Sequence, residues 1–261
     1  MVLDLCGKHA LVCGGSEGIG RAAAIELAAL GADITLLSRR EHALREAVAA
    51  LPCGAAQQHD FLIADVAHTV ALREAVAMRV AQRPVHILVN NTGGPPGGAA
   101  HSADVAAYLD AFNKHLVANQ ALLQAVLPGM RAARWGRIVN VISTSVKEPI
   151  ANLGVSNTIR GAVASWAKTL SRELGADGIT VNNVLPGYTR TQRLDQILAD
   201  RSDATGKTQD QVAAAMLASV PAGRFAEARE IGGVIAFLCT DAAGYINGVS
   251  LAVDGGRMQS I

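Results

Sequence analysis

Short, largely apolar runs alternate along this chain with longer stretches in which apolar positions recur every three to four residues. Positions 10–13, 34–37, 85–89, 137–142, 179–185 and 248–253 are runs of the first kind, and each reads as a strand buried on both faces. Positions 22–30, 41–50, 69–82, 103–133, 157–174 and 227–239 are of the second kind and read as amphipathic helices. A weaker strand pattern covers 57–64 and leads into Asp65 and Val66. Thr208 and Gln211 form a capping-box pair ahead of the apolar stretch 212–217, which predicts a helix start there. The polar segment 189–208 has few apolar positions and reads as a mobile surface stretch; with the following helix it predicts a lid over about 189–219. Strand and helix alternate about seven times, with no repeat and no linker. This predicts one α/β domain over 1–261, a doubly wound parallel sheet with helices on both faces.

Turn-forming residues gather where the predicted strands end: 14–20, 38–39, 65–66, 90–94, 143–147 and 186–191. Sheets of this kind bind ligands at those ends. The first unit, residues 8–39, is strand, glycine turn, helix and strand within about 30 residues, the mark of a Rossmann-type dinucleotide-binding unit. Gly14 suits the tight turn, Gly18 the close approach of backbone to a pyrophosphate, and Gly20 the packing of helix on strand, with Ser16 and Ile19 inside the turn. The helix N-terminus beyond them offers N–H groups and a positive dipole end to phosphates.

Bulk composition narrows the field. Of 261 residues, 50% are hydrophobic and only 17% charged, and 26 are glycine, which suits a sheet covered on both faces. A net charge of +1 gives no reason to expect a nucleic-acid partner. The apolar runs are too short to span a bilayer, and the N-terminus has no basic segment leading into an apolar one. Cys6, Cys13, Cys53 and Cys239 lack metal-site spacing and read as buried free thiols in a reducing compartment. The expectation is a cytoplasmic protein with no metal, membrane or nucleic-acid partner.

Four motifs together carry a family resemblance: CGGSEGIG at 13–20, NNTG at 90–93, Pro186-Gly187 followed by Thr191, and the ending GYINGVSLAVDGG. On these the chain resembles the short-chain dehydrogenase/reductase family over nearly its whole length, and is similar to its 3-oxoacyl-acyl-carrier-protein reductase-like members. The resemblance implies a nicotinamide dinucleotide cofactor. Asp65 and Val66 would meet the adenine, Asn91, Thr92 and Gly93 would line the site after the fourth strand, and Pro186, Gly187 and Thr191 would meet the nicotinamide carboxamide. An acid at the end of the second strand would select NAD(H). Here Ser38 and Arg39 occupy that place, and a hydroxyl with a guanidinium suits a 2′-phosphate. NADP(H) is therefore favoured over NAD(H), unless Arg39 and Arg40 only begin the next helix.

The same resemblance implies catalysis by an Asn, a Ser and a Tyr-x-x-x-Lys pair, and this chain departs from three of the four. Ser143 is kept; Ser156 stands for the tyrosine, Arg160 for the lysine and His115 for the asparagine. The tyrosines at 108, 188 and 245 do not make the pattern elsewhere. Arg160 keeps a positive charge near the cofactor ribose, where it could hydrogen-bond two hydroxyls, but it cannot shuttle protons. His115 either relays protons at neutral pH or packs within its helix. Lys147, four residues past Ser143, and Tyr188 are candidate replacement acids. The expected catalytic set is Ser143, with Lys147 and Arg160 supplying charge and Ser156 lining the pocket.

The leading functional reading is an NADP(H)-dependent oxidoreductase interconverting a carbonyl and an alcohol on a small organic substrate, with an altered proton-transfer group. The alternative is a nucleotide-binding, non-catalytic subunit partnering an active relative. A lyase-like derivative is a third reading: halohydrin dehalogenases of this family also carry arginine for the lysine, but keep the tyrosine and lose the glycines, opposite to this chain. Helices 103–133 and 157–174 carry apolar residues on more than one face, and the resemblance implies a homodimer or homotetramer built through such helices.

Overall fold

The apolar runs and the weaker 57–64 pattern become strands β1 (His9–Cys13), β2 (Asp33–Ser38), β3 (His59–Ile63), β4 (Ile87–Asn90), β5 (Gly136–Val141), β6 (Ile179–Pro186) and, after two unexpected two-residue strands, β7 (Thr189–Arg190) and β8 (Ala226–Glu227), β9 (Ser250–Val253). The helices are α1 (Gly18–Ala29), α2 (Glu41–Ala49), α3 (Thr69–Gln82), α4 (Val105–Phe112), α5 (Ala118–Ala133), α6 (Gly154–Leu174), α7 (Gln192–Thr205), α8 (Gln209–Leu217) and α9 (Ala228–Leu238). The computed structural model describes residues 3–260. Seven strands lie parallel in the order β3-β2-β1-β4-β5-β6-β9, the expected doubly wound sheet, while β7 and β8 pair separately.

Alternation along each strand divides the core in two. Ala10, Val12, Ile34, Leu36, Ile87 and Val89 face α1, α2 and α9 through Leu27, Leu44, Ile231 and Ile235. Their neighbours Leu11, Cys13, Leu37 and Leu88 face α3, α5 and α6 through Leu72, Val76, Leu122, Val126 and Ala167. A strand with a period of two and helices on both sides needs apolar residues at every position, which is why β1 is buried throughout. β3 is an edge strand of mostly half-buried residues, and its weak sequence pattern follows from that.

A polar ladder crosses this apolar sheet near the strand ends. Asn90 donates to Asn140 at 2.8 Å, Asn140 to Asn183 at 3.0 Å and Asn183 to the Ser250 hydroxyl at 3.1 Å. These residues are register partners across β4, β5, β6 and β9. A buried amide without a partner is costly, so a shift of any one strand is opposed by its neighbours.

Three expectations need correction. The helix over 103–133 is α4 and α5 joined by one wide π-helical turn, Asn113–Val117; a single extra residue barely disturbs the apolar periodicity, so the pattern ran through it. The segment 189–208 is not an irregular stretch: β7 pairs with β8, and α7 follows, ending at Gly206 with φ of 67°. Its apolar side is the narrow stripe Leu194, Ile197 and Leu198, packed with Val212, Met216 and Phe225 in a cluster of its own. The predicted capping box at Thr208 and Gln211 does open α8. Of the four free cysteines, only Cys13 and Cys239 are buried, while Cys6 and Cys53 are exposed. Burial pushes the thiols of Cys13 and Cys239 up to about 12. No helix among the described residues is long and apolar enough to cross a membrane, and no cluster of three or more His, Cys, Asp or Glu among them is placed to hold a metal ion.

Candidate active site

The strand ends open into a cavity of about 640 Å³. Its first wall is the turn after β1. Gly14 has φ of 59°, and a Cβ there would lie 2.6 Å from the Asn91 carbonyl oxygen. A Cβ on Gly20 would fall 2.2 Å from the Gly14 carbonyl oxygen. The two glycines thus let α1 begin directly against β1 and β4. Gly14, Ser16, Gly18 and Ile19 line the cavity, whereas Gly20 stands behind it. Glu17 makes no side-chain cap to α1, so the first-turn N–H groups are free of a protein side chain and suit a phosphate.

The next wall comes from the ends of β2, β3 and β4. Ser38, Arg39, Asp65 and Val66 line it, followed by Asn91, Thr92 and Gly93. The Ser38 hydroxyl is buried with no hydrogen-bond partner; an orphaned hydroxyl is rare without an unfilled role. Arg39 is exposed, 3.9 Å from Asp65, and Arg40 pairs with Glu17 at 2.5 Å. A hydroxyl and an adjacent mobile guanidinium fit a phosphate monoester.

The far wall holds most of the expected catalytic set. Ser143, Ser156 and Arg160 all line the cavity, as do Pro186, Gly187 and Thr191. Ser143 caps the 3-10 turn Thr144–Val146, its Oγ accepting the Ser145 N–H at 3.0 Å, which leaves its own hydrogen to donate elsewhere. Ser156, in the first turn of α6, accepts from Arg160 Nε at 3.3 Å. Arg160 also donates from Nη1 to the Val141 carbonyl at 3.2 Å. Burial, and then the charge of Arg193, pulls its guanidinium down to about 10, so it stays charged at neutral pH.

Lys147 does not join this group. It is exposed and outside the cavity wall, because the 3-10 turn after Ser143 carries the chain outward within four residues. Tyr188 does line the cavity. Its ring packs edge-on to Phe225 with centroids 6.2 Å apart, and Arg257 lies 4.8 Å from its centroid while donating to Thr144 at 3.3 Å. Nothing in the sequence marked Arg257 as a neighbour of the site. Asp110 and Lys114 also line the cavity; their i,i+4 spacing was a readable signal for a paired face.

His115 sits in the π turn, buried, with Nδ1 2.7 Å from the Thr92 hydroxyl. Burial, then the charges of Arg160 and Lys114, pushes its imidazole down to about 4. It is therefore a neutral hydrogen-bonding group at pH 7 rather than a proton relay titrating near neutrality. The unfolded chain protonates this histidine first, so its contribution to stability is complete above about pH 6.5 and is lost as pH falls towards 4. Within that window the slope is up to about 1.4 kcal/mol per pH unit. Urea unfolding at pH 7 and pH 5 should show a smaller loss on acidification in His115→Asn than in the wild type.

Comparison with known proteins agrees with this geometry. A family model described as enoyl-(acyl carrier protein) reductase matches residues 14–257. The 3-oxoacyl-[acyl-carrier-protein] reductase FabG of Pseudomonas aeruginosa is 32% identical over 99% of this chain and 100% of its own length. Cyclohexanol dehydrogenase of a Rhodococcus species is 32% identical over 99% and 98%. The crystal structure of L-sorbose reductase from Gluconobacter frateurii, complexed with NADPH and L-sorbose, superposes with a TM-score of 0.93 at 28% identity over the whole of both chains. With the sheet order, the glycine turn and the strand-end cavity all in place, the chain belongs to the short-chain dehydrogenase/reductase family.

Proposed function

We propose that the protein interconverts a carbonyl and an alcohol on a small organic molecule with NADP(H) in preference to NAD(H), using two serine hydroxyls and a guanidinium in place of a tyrosine–lysine pair. One observation carries this reading: a single cavity joins a side-chain-free helix N-terminus and an unpartnered Ser38 hydroxyl to the group Ser143, Ser156 and Arg160. The bound nicotinamide would supply or accept the hydride. Gly14, Gly18 and the start of α1 hold its pyrophosphate, and Ser38 and Arg39 hold a 2′-phosphate. Asp65 and Val66 flank the adenine, Asn91, Thr92 and Gly93 support the middle, and Pro186, Gly187 and Thr191 face the carboxamide. Ser143, whose oxygen is already engaged by the Ser145 N–H, donates a hydrogen bond to the substrate oxygen. A solvent water supplies the proton that completes the alcohol, leaving hydroxide to the bulk. Ser156 is a stronger donor for having Arg160 Nε on its oxygen. Arg160 offsets negative charge developing on the substrate oxygen. The segment 189–219 roofs this end, tied down where Arg193 donates to the Pro95 carbonyl at 3.1 Å. The exposed stripe Val105, Leu109 and Phe112 on α4 supports association of two or four copies through that helix.

The test is a fluorescence titration with NADPH and NADH, followed by loss of NADPH absorbance against a panel of ketones and diketones. NADPH should bind about 10-fold or more tightly than NADH, as expected for a charge-assisted phosphate contact, and Arg39→Ala should erase most of that preference. Binding without oxidation of NADPH across the panel would favour the non-catalytic subunit; failure of both nucleotides to bind would remove both readings.

A further inference from the structure

The charges around the cavity do not balance, and the surplus lies at one end. Three carboxylates line it, and each already has a basic partner: Glu17 with Arg40, Asp65 with Arg39 and Asp110 with Lys114. Arg160 and Arg193 are left, and neither has a carboxylate within ion-pair distance among the described residues. The two flank the same rim. Arg160 Nη2 lies 3.3 Å from where a Cβ on Gly94 would sit, and Arg193 Nη2 bonds the carbonyl of the next residue, Pro95. Arg160 uses Nε on Ser156 and Nη1 on Val141, so Nη2 is its free end. Arg160 is half-buried and Arg193 exposed; two guanidinia on one rim repel, and the half-buried one has no counter-ion to offset its lost solvation.

The cofactor does not supply the missing charge. Its phosphates would lie at the ends of β1 and β2, and Arg160 is fixed to the end of β5, two strands beyond β1 in the sheet. At about 4.8 Å per strand that is roughly 10 Å, and the ribose between them is neutral. We propose that the substrate itself carries a carboxylate, held between Arg160 and Arg193 while its carbonyl oxygen faces Ser143 and Ser156. The Arg160 guanidinium spans both ends: its Nε is 3.3 Å from the Ser156 hydroxyl, while Nη2 on the same planar group is left for the carboxylate, so the substrate's two oxygen-bearing groups are separated by few bonds. A 2-oxo or 3-oxo acid meets that spacing; a neutral ketone or a thioester leaves both guanidinia unpaired. Arginine's planar fork suits carboxylate in two-point contact.

This inference rests on reading the cavity as a carbonyl-reducing site, and calorimetry separates the two. The protein loaded with NADP+ is titrated with acetoacetate and, separately, with its methyl ester, which keeps the ketone and removes the charge. Acetoacetate should bind about 10-fold or more tightly than the ester, with affinity falling as salt is raised. In Arg193→Gln, which can still donate to the Pro95 carbonyl, that preference should shrink to within about 3-fold, since the charge-assisted contact is gone. Equal or tighter binding of the ester, or no saturable binding of acetoacetate, overturns the carboxylate assignment while leaving the carbonyl-reductase reading intact. Failure of NADP+ to load overturns that reading and this inference with it.

Discussion

Ser143→Ala is expected to bind NADPH with unchanged affinity and to turn substrate over about 100- to 1,000-fold more slowly, the usual cost of removing one preorganised donor to a developing oxyanion. The serine is set up for this task by its own backbone. Its oxygen accepts the Ser145 N–H within the turn it caps, so the hydroxyl hydrogen has one direction left. The side chain is small and Thr144 behind it is buried, so alanine should fit, its cost to the turn being the lost cap on the Ser145 N–H. The effect belongs in kcat, read from saturating steady-state rates, with cofactor affinity read separately by fluorescence. Lys147→Ala is the control: an exposed lysine outside the cavity wall should leave turnover within about two-fold, as surface substitutions usually do. A loss in Lys147→Ala equal to that in Ser143→Ala would restore the lysine as proton source and sink the hydroxyl-based scheme.

Gly20→Val should abolish measurable binding of NADPH, with a dissociation constant raised more than about 100-fold, because overpacking and strain at one site are worth a few kcal/mol. Even a methyl group would sit 2.2 Å from the Gly14 carbonyl oxygen and 2.8 Å from Asn91 Nδ2. Neither can yield easily: Gly14 is part of the turn, and the Asn91 amide lies 3.4 Å from the same carbonyl. The start of α1 must therefore move away from β1, taking its free N–H groups with it. Circular dichroism should show the helices retained while the NADPH titration goes flat. Retained affinity would mean that phosphates do not rest on this turn.

How far the sequence could be read follows from how local each signal was. The sheet was legible because strands buried on both faces leave uninterrupted apolar runs, and because Gly14, Gly18 and Gly20 sit between one such run and a helix. The residues lining the cavity at the strand ends were legible for the same reason, since strand ends are where the turn residues are. Position along a curved turn was harder. Lys147 is four residues from Ser143 in the chain but on the outside of the structure, and spacing alone could not show which way the 3-10 turn leads. His115 was placed correctly on its helix, yet its imidazole is held neutral by burial and by Arg160, neighbours that only tertiary structure supplies. α7 was missed because three apolar side chains suffice to seat it on α8, too narrow a stripe to stand out from a polar segment.

The wide turn at Asn113–Val117 limits how this region can change. Upstream of it Ala111 packs against Val155 and Ile159 of α6, and downstream Ala118 and Leu122 enter the sheet-covering core. Both ends are therefore pinned by different partners. Deleting one residue of α4 or α5 outside the wide turn, where winding is already ordinary, would rotate one end against the other by about 100°. Either the upstream apolar side chains swing away from α6, or the downstream ones leave the sheet. Length variation in a lineage of such proteins should therefore collect in the 93–104 loop and spare 105–112 and 118–133.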